Sequence, residues 1–113
     1  MITIYHNPRC RKSRETLEIL SQSQTNIDVV EYLKNPLNET ELKNLISLLN
    51  IDAEDLLRKN EAEWKSNFKG KSMSQSEIIL AMVEYPKLME RPVVVNKEKA
   101  VIARPPQRVL EVI

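Results

Sequence analysis

The alternation of apolar and polar residues at the start of the chain predicts a strand, a helix and a second strand. Residues 2–5 form a short β-rich run that ends at the turn signal Asn7-Pro8. Leucines spaced three apart predict a helix over about residues 10–21, and residues 27–32 alternate in part like a strand. This order favours a βαβ unit with parallel strands and a right-handed crossover.

The middle of the chain has a helical pattern throughout. Asn38 and Glu41 have the spacing of a capping box, and the apolar residues behind them recur at i, i+3, i+4 and i+7. They predict a helix over residues 39–49. A short helix is expected over residues 53–59, and Ser74 opens another capped helix that ends near Pro86.

The last part of the chain predicts two more strands and a helix. Residues 93–95 are β-branched, and residues 96–99 are expected to form a hairpin turn into residues 100–102. A final short helix is expected from about Arg104 to Ile113, since proline is tolerated in a first helical turn. We therefore expect an α/β fold in one domain over residues 1–113, with a helical insertion at about residues 36–90.

Composition narrows the class of protein. The chain has 113 residues, of which 42% are hydrophobic and 29% charged, which indicates one globular domain rather than disorder. Its formal net charge of +1 argues against a nucleic-acid partner. We expect no membrane association and a cytoplasmic location, because no signal peptide and no apolar run of transmembrane length is present.

The single cysteine, Cys10, is the strongest candidate for chemistry. One thiol excludes an internal disulfide and favours a reducing compartment. Cys10 lies where the first strand is expected to give way to a helix, among arginines and a lysine. Unpaired amides, the helix dipole and nearby cations all favour the thiolate form. We therefore predict a reactive thiolate rather than a structural cysteine.

A resemblance to known proteins supports this interpretation. The order βαβ, helical insertion, ββα, with a thiol after the first strand, resembles the thioredoxin fold with a mixed sheet, in which Pro92 occupies the position of a cis-proline. Four segments resemble the glutaredoxin-dependent arsenate reductase family, which also contains Spx-type transcription regulators. These segments are ITIYHNPRC at residues 2–10, LLRKN at 56–60, RPVVV at 91–95 and ARP at 103–105.

The resemblance implies a site and a reaction. It assigns the catalytic cysteine to Cys10 and the handling of the oxyanion to Arg58, Arg91 and Arg104. Cys10 would attack arsenate, glutathione would displace a second oxygen, and glutaredoxin would reduce the adduct so that arsenite leaves. No bound cofactor and no metal are implied. Ser13 stands where some relatives carry a second cysteine, so the reductant must come from outside the chain.

Several residues keep two interpretations. His6 could orient or activate the thiolate, or be an exposed histidine. Ser13 could donate to the thiolate, although capping of the first helical turn is favoured. Arg11, with Arg9 and Lys12, makes the rim around the thiol unusually cationic. This rim could bind oxyanions or glutathione carboxylates.

The three distant arginines also have ordinary interpretations. Arg58 taken alone is typical of a solvated helix end, and Arg91 and Arg104 precede prolines where surface arginines are common. Their joint match to the family favours a functional role. Two alternative functions remain, a glutathione-dependent reductase of another substrate and an Spx-like protein that binds RNA polymerase without catalysis. The missing second cysteine argues against a redox-switched regulator.

Overall fold

Both ends of the chain contribute to a four-stranded mixed sheet in the computed structural model, which describes residues 1–24 and 26–113. Strand β1 (Ile2–His6) pairs in parallel with β2 (Ile27–Glu31) and antiparallel with β3 (Val93–Asn96). Strand β4 (Lys99–Ile102) pairs antiparallel with β3, so the order is β2-β1-β3-β4. Helix α1 (Arg11–Ser23) connects β1 to β2, which confirms the predicted βαβ unit.

The register of the strands decides which parts of the chain meet. His6 lies opposite Glu31, Tyr5 opposite Val93, and Val93 opposite Ile102. The carboxyl ends of β1, β2 and β4 therefore lie at the same end of the sheet as the amino end of β3. We call this the thiol end, because Cys10 follows β1 there.

Apolar residues of β1, α1, β3, β4 and the C-terminal segment form the core of this part of the chain. Strand β1 alternates between buried and half-buried residues, as a sheet with one fully covered face requires. The buried core residues are Ile2, Ile4, Leu20, Val94, Val101, Ala103, Val109 and Val112. A 3-10 helix, Pro106–Glu111, carries Val109 into this core, so the predicted last helix is present but shorter than expected.

Residues 36–90 are helical. They contain α2 (Glu39–Leu49), a 3-10 helix (Ala53–Leu56), α3 (Ala62–Asn67), α4 (Gln75–Glu84) and a second 3-10 helix (Pro86–Leu88). Both predicted N-caps are confirmed, because Asn38 accepts the Glu41 amide at 2.8 Å and Ser74 accepts the Glu77 amide at 3.2 Å. Helix α2 begins and ends where the sequence predicts.

Two details of the helical segment differ from expectation. The helix expected over residues 53–59 stops at Leu56, because Leu57 leaves it to form a β-bridge with Met89. The Arg58 amide donates to the Leu88 carbonyl and the Glu90 amide to the Leu56 carbonyl, both at 2.7 Å. Helix α3 was not predicted. Its short apolar pattern and uncapped start give the sequence little signal.

The described residues divide into two compact units, Met1–Asn35 with Arg91–Ile113, and Pro36–Glu90. We call them the sheet unit and the helical unit. The expectation that residues 1–113 form one domain stays a prediction. The Arg91–Pro92 bond is cis, as the thioredoxin-like resemblance implies, and Arg104–Pro105 is cis as well. Among the described residues, none of the helices has the length and apolar character needed to cross a membrane.

Candidate active site

Cys10 is the N-cap of α1 and is half-buried. Its backbone is extended, with φ −93° and ψ 120°, so the helix begins at Arg11. The first intrahelical bond runs from the Arg14 amide to the Cys10 carbonyl at 3.0 Å. The Cys10 side chain makes no capping hydrogen bond. The amides of the first turn therefore remain available beside the thiol, and a helix amino terminus favours negative charge there.

The residues before Cys10 form a closely bonded turn, which we call the thiol loop (residues 7–10). The Cys10 amide donates to the Asn7 carbonyl at 3.0 Å, and the Arg9 amide donates to Asn7 Oδ1 at 3.0 Å. Arg14 Nη1 donates to the Pro8 carbonyl at 3.1 Å. The sequence identified the Asn-Pro turn but did not identify Asn7 and Arg14 as its supports. The sequence does carry a signal for these two supports: an asparagine stands before the proline, and an arginine stands one helical turn after the cysteine.

Behind the thiol loop, His6 and Ser13 form a buried pair. His6 Nδ1 lies 2.6 Å from Ser13 Oγ, which also accepts the Asn7 amide at 3.0 Å. Only 6% of His6 and none of Ser13 is exposed to solvent. The interpretation of His6 as an exposed residue is therefore wrong. Capping by Ser13 is wrong as well, because Cys10 is the N-cap and the serine binds His6 instead.

The surroundings of His6 disfavour its charged form. Burial lowers the pKa of His6 from its ordinary value of 6.5 because the imidazolium loses water. The Glu31 carboxylate opposes this shift in the pKa, and the Arg14 guanidinium reinforces it. His6 therefore favours the neutral state near pH 7, in which one ring nitrogen accepts a hydrogen bond.

The cations around Cys10 are engaged to different degrees. Arg11, with 84% of its side chain exposed, pairs with Glu15 at 2.9 Å on the helix surface. Arg14 is bonded to the Pro8 carbonyl. Arg9 and Lys12 are exposed, and neither forms an ion pair with any residue that the structure describes. The positive rim therefore carries its uncompensated charge on Arg9 and Lys12.

Arg91 and Arg104 extend from the thiol end of the sheet. Arg91 lies two residues before β3 and Arg104 two residues after β4. Arg91 Nε and Nη1 are buried and meet no hydrogen-bond acceptor within residues 1–24 and 26–113. Arg104 Nη1 donates to the Arg91 carbonyl at 2.9 Å and so holds the backbone that carries this guanidinium. A buried cation without a partner is costly, and an anionic ligand would supply the missing acceptors.

Arg58 belongs to the helical unit and has carboxylate partners there. Its Nη1 lies 2.6 Å from Glu61 and its Nε lies 3.6 Å from Glu90. Only 21% of its side chain is exposed, so it is not a freely solvated cation. Sequence reasoning missed both carboxylates, although Glu61 stands three residues further on. A role of Arg58 toward an oxyanion stays a prediction.

The sheet unit thus brings most of the predicted site residues to one end of the sheet. Those residues are His6, Cys10, Arg11, Ser13, Arg91 and Arg104. A half-exposed thiol at a helix amino terminus, with two unpartnered guanidinium nitrogens at the same end, suits nucleophilic attack on an anion. Within the described part of the chain, no three His, Cys, Asp or Glu residues gather as a metal site would require.

Comparison with known proteins gives a consistent result. The model of the ArsC family matches residues 5–112. An uncharacterized protein of Escherichia coli K12, YfgD, is 46% identical over 99% of this chain and 96% of its own length. An arsenate reductase of Haemophilus influenzae is 39% identical over 99% of this chain and 98% of its own. The solved structure of an arsenate reductase from Vibrio cholerae superposes with a TM-score of 0.94 at 39% identity, covering 99% of this chain and 97% of that one. This superposition confirms the thioredoxin-like α/β fold.

Proposed function

The chain belongs to the ArsC family, and from this membership we propose that it reduces arsenate to arsenite through the Cys10 thiolate. The observation that carries the proposal is the pair of buried, unpartnered guanidinium nitrogens of Arg91, at the same end of the sheet as a half-exposed thiol. We take the substrate of this proposal, arsenate, from the relatives that are named arsenate reductase.

The physical problem in this reaction is repulsion between two anions. Arsenate carries a charge of −1 to −2 near neutral pH, so a thiolate approaches arsenic only after the oxygens are neutralised. Guanidinium suits this task because it is permanently charged and can donate to two oxygens at once. The first-turn amides of α1 supply further donors beside Cys10.

The proposed steps balance in atoms and electrons. Cys10 sulfur bonds to As(V) and one oxygen leaves as water or hydroxide, without a change of oxidation state. Glutathione then displaces a second oxygen as water, so that arsenic carries two sulfur ligands. A glutaredoxin thiolate attacks the glutathione sulfur, and the electron pair of the arsenic–sulfur bond reduces As(V) to As(III). Hydrolysis releases arsenite and returns the Cys10 thiol.

The single thiol of the chain supports dependence on an external thiol reductant, and the family resemblance makes glutathione and glutaredoxin the expected ones. Ser13, at the third position after Cys10, cannot form a disulfide, and it is buried against His6. A resolving thiol must therefore come from another molecule. We place the reaction in the cytoplasm, where both thiol reductants would be available.

Turnover by purified protein tests the proposal. Arsenate-dependent oxidation of NADPH is followed with glutathione, glutaredoxin and glutathione reductase. We expect turnover that stops when glutaredoxin is omitted and that falls to background in Cys10→Ser, since a serine hydroxyl is not ionised near pH 7. Ser21→Ala is the matched control, because that exposed hydroxyl bonds only within α1.

Other results would replace the proposal with one of its alternatives. Residual turnover in Cys10→Ser would remove this thiol from the mechanism. A folded protein with a reactive Cys10 and no turnover would indicate a reductase of another substrate. In that case binding to RNA polymerase becomes the next measurement, because it tests the non-enzymatic alternative.

A further inference from the structure

We propose that Asn7 and Arg14 are positioning residues for Cys10, which clamp the Pro8–Arg9 peptide group from two sides. The inference rests on the proposed function only in assigning the reaction of Cys10. It goes beyond that function by identifying what fixes the thiol in place. Neither residue needs to touch the substrate in this account.

The contacts converge on one peptide group. The Pro8 carbonyl accepts Arg14 Nη1 at 3.1 Å, and the Arg9 amide donates to Asn7 Oδ1 at 3.0 Å. This carbonyl and this amide belong to the same planar unit, so fixing both ends fixes its orientation. Cys10 follows directly, and its own amide is held by the Asn7 carbonyl at 3.0 Å.

Asn7 contributes three groups to the thiol loop. Its side chain holds the Arg9 amide, its carbonyl holds the Cys10 amide, and its amide donates to the buried Ser13 hydroxyl at 3.0 Å. The loop is thereby tied to α1 through Ser13 and to β1 through His6. An aspartate or asparagine side chain suits the first of these bonds best, because its oxygen folds back onto the amide two residues on.

Arg14 differs from the other cations around the thiol. Arg11 pairs with Glu15 on the helix surface, whereas Arg14 turns back to a backbone carbonyl of the thiol loop. Its charge also lies close enough to His6 to act on that imidazole. Arg14 is therefore occupied in holding the loop, while Arg91 has the unpartnered nitrogens.

Amide exchange at Arg9 gives the direct test. Asn7→Ala and Arg14→Met should each speed hydrogen exchange of the Arg9 amide at least about threefold, since each removes one restraint on the same peptide group. Asn7→Asp keeps the acceptor and should restore the wild-type exchange rate. In the double variant, the free energy that protects the Arg9 amide from exchange should fall by less than the sum of the two single decreases, because both restraints act on the same peptide group.

Kinetics distinguish positioning from substrate contact. Asn7→Ala and Arg14→Met should lower kcat for arsenate about 10- to 100-fold with KM changed less than about threefold, as displacement of a reacting atom does. Asn7→Asp should restore kcat to within about threefold and raise KM, because it adds a negative charge beside the anion. Arg108→Met removes the same charge from an exposed arginine that pairs with Glu111, and it serves as the charge-matched comparison.

Two results would overturn the inference. One is an unchanged Arg9 exchange rate in Asn7→Ala or in Arg14→Met. The other is an equal loss of kcat in Arg108→Met and Arg14→Met, which would make charge rather than geometry the cause. If the wild-type protein does not turn over arsenate, exchange and the rate of Cys10 alkylation by neutral iodoacetamide still decide this inference, while the proposed function fails separately.

Discussion

At the scale of single residues, Arg91 has two buried guanidinium nitrogens, Nε and Nη1, that lack acceptors in the part of the chain the structure describes. Buried guanidinium nitrogens without acceptors lower the stability of the folded state, and an anionic ligand would supply the missing acceptors. Arg104 fixes the Arg91 backbone at 2.9 Å. Activity and stability should therefore respond to substitution of Arg91 in opposite directions.

Arg91→Met keeps the aliphatic part of the side chain and removes the charge. We expect kcat/KM for arsenate to fall about 10- to 100-fold, the equivalent of one or more charge-assisted hydrogen bonds of roughly 1.5–3 kcal/mol. The free energy of unfolding in urea should stay equal or rise. Arg108→Met is the control, because that exposed arginine pairs with Glu111. If Arg91→Met loses activity only because the protein unfolds, the role of Arg91 is structural rather than catalytic.

His6 should make the stability of the protein depend on pH. Burial lowers the pKa of His6 below its unfolded value of 6.5, so between these two values the unfolded chain binds more protons than the folded one. The contribution of His6 to the free energy of unfolding is then complete above about pH 6.5. It is lost progressively as the pH falls toward the folded pKa.

Two measurements check this prediction for His6. It is the only histidine in the chain, so its imidazole proton resonances can be assigned without ambiguity. Their titration midpoint should lie below 6.5 and should rise in Arg14→Met, because the Arg14 charge helps to lower the pKa. Urea unfolding at pH 7.5 and 5.5 should show a smaller loss of stability in His6→Gln. Equal losses in both proteins would contradict the prediction.

At the scale of secondary-structure elements, the sequence predicted the features that depend on residues close together in the chain. The capping boxes at Asn38 and Ser74 set the starts of α2 and α4. The place of Cys10 between β1 and α1 was predictable for the same reason. A strand, an Asn-Pro turn and an amphipathic helix adjoin within a few residues there.

Interactions between distant residues could not be predicted from these signals. From its position, Ser13 looked like a capping residue, yet its hydroxyl is hydrogen-bonded to the imidazole of His6 on β1. The segment after Leu56 looked helical, yet Leu57 pairs with Met89. Neither partner is adjacent in sequence, so only the folded chain identifies it. The family resemblance supplied Arg91 and Arg104, for which local pattern gave no preference.

At the scale of the whole molecule, charge is nearly balanced but unevenly placed. The net charge is +1, while four cations lie within four residues of Cys10. Intramolecular contacts engage Arg11 and Arg14, which leaves Arg9 and Lys12 to act on molecules that approach. Glutathione carries two carboxylates, so this local charge should favour its approach over that of a neutral thiol.

The double variant Arg9→Gln with Lys12→Gln tests this local effect. We expect KM for glutathione to rise about 3- to 10-fold at low salt, because two exposed charge interactions contribute roughly 0.3–0.7 kcal/mol each. The change should shrink at high salt, where screening shortens the range of the interaction. The KM for 2-mercaptoethanol, which is uncharged, should stay the same.

Lys65→Gln with Lys69→Gln is the matched control for this prediction. It removes the same net charge from two exposed lysines of the helical unit. If the control raises KM for glutathione equally, net charge rather than the rim determines the approach of the reductant. If 2-mercaptoethanol is affected as strongly as glutathione, the rim residues act on the position of the thiol and not on the charge of its partner. A rise confined to glutathione and to the rim variant requires a local electrostatic cause, since the two variants have the same net charge.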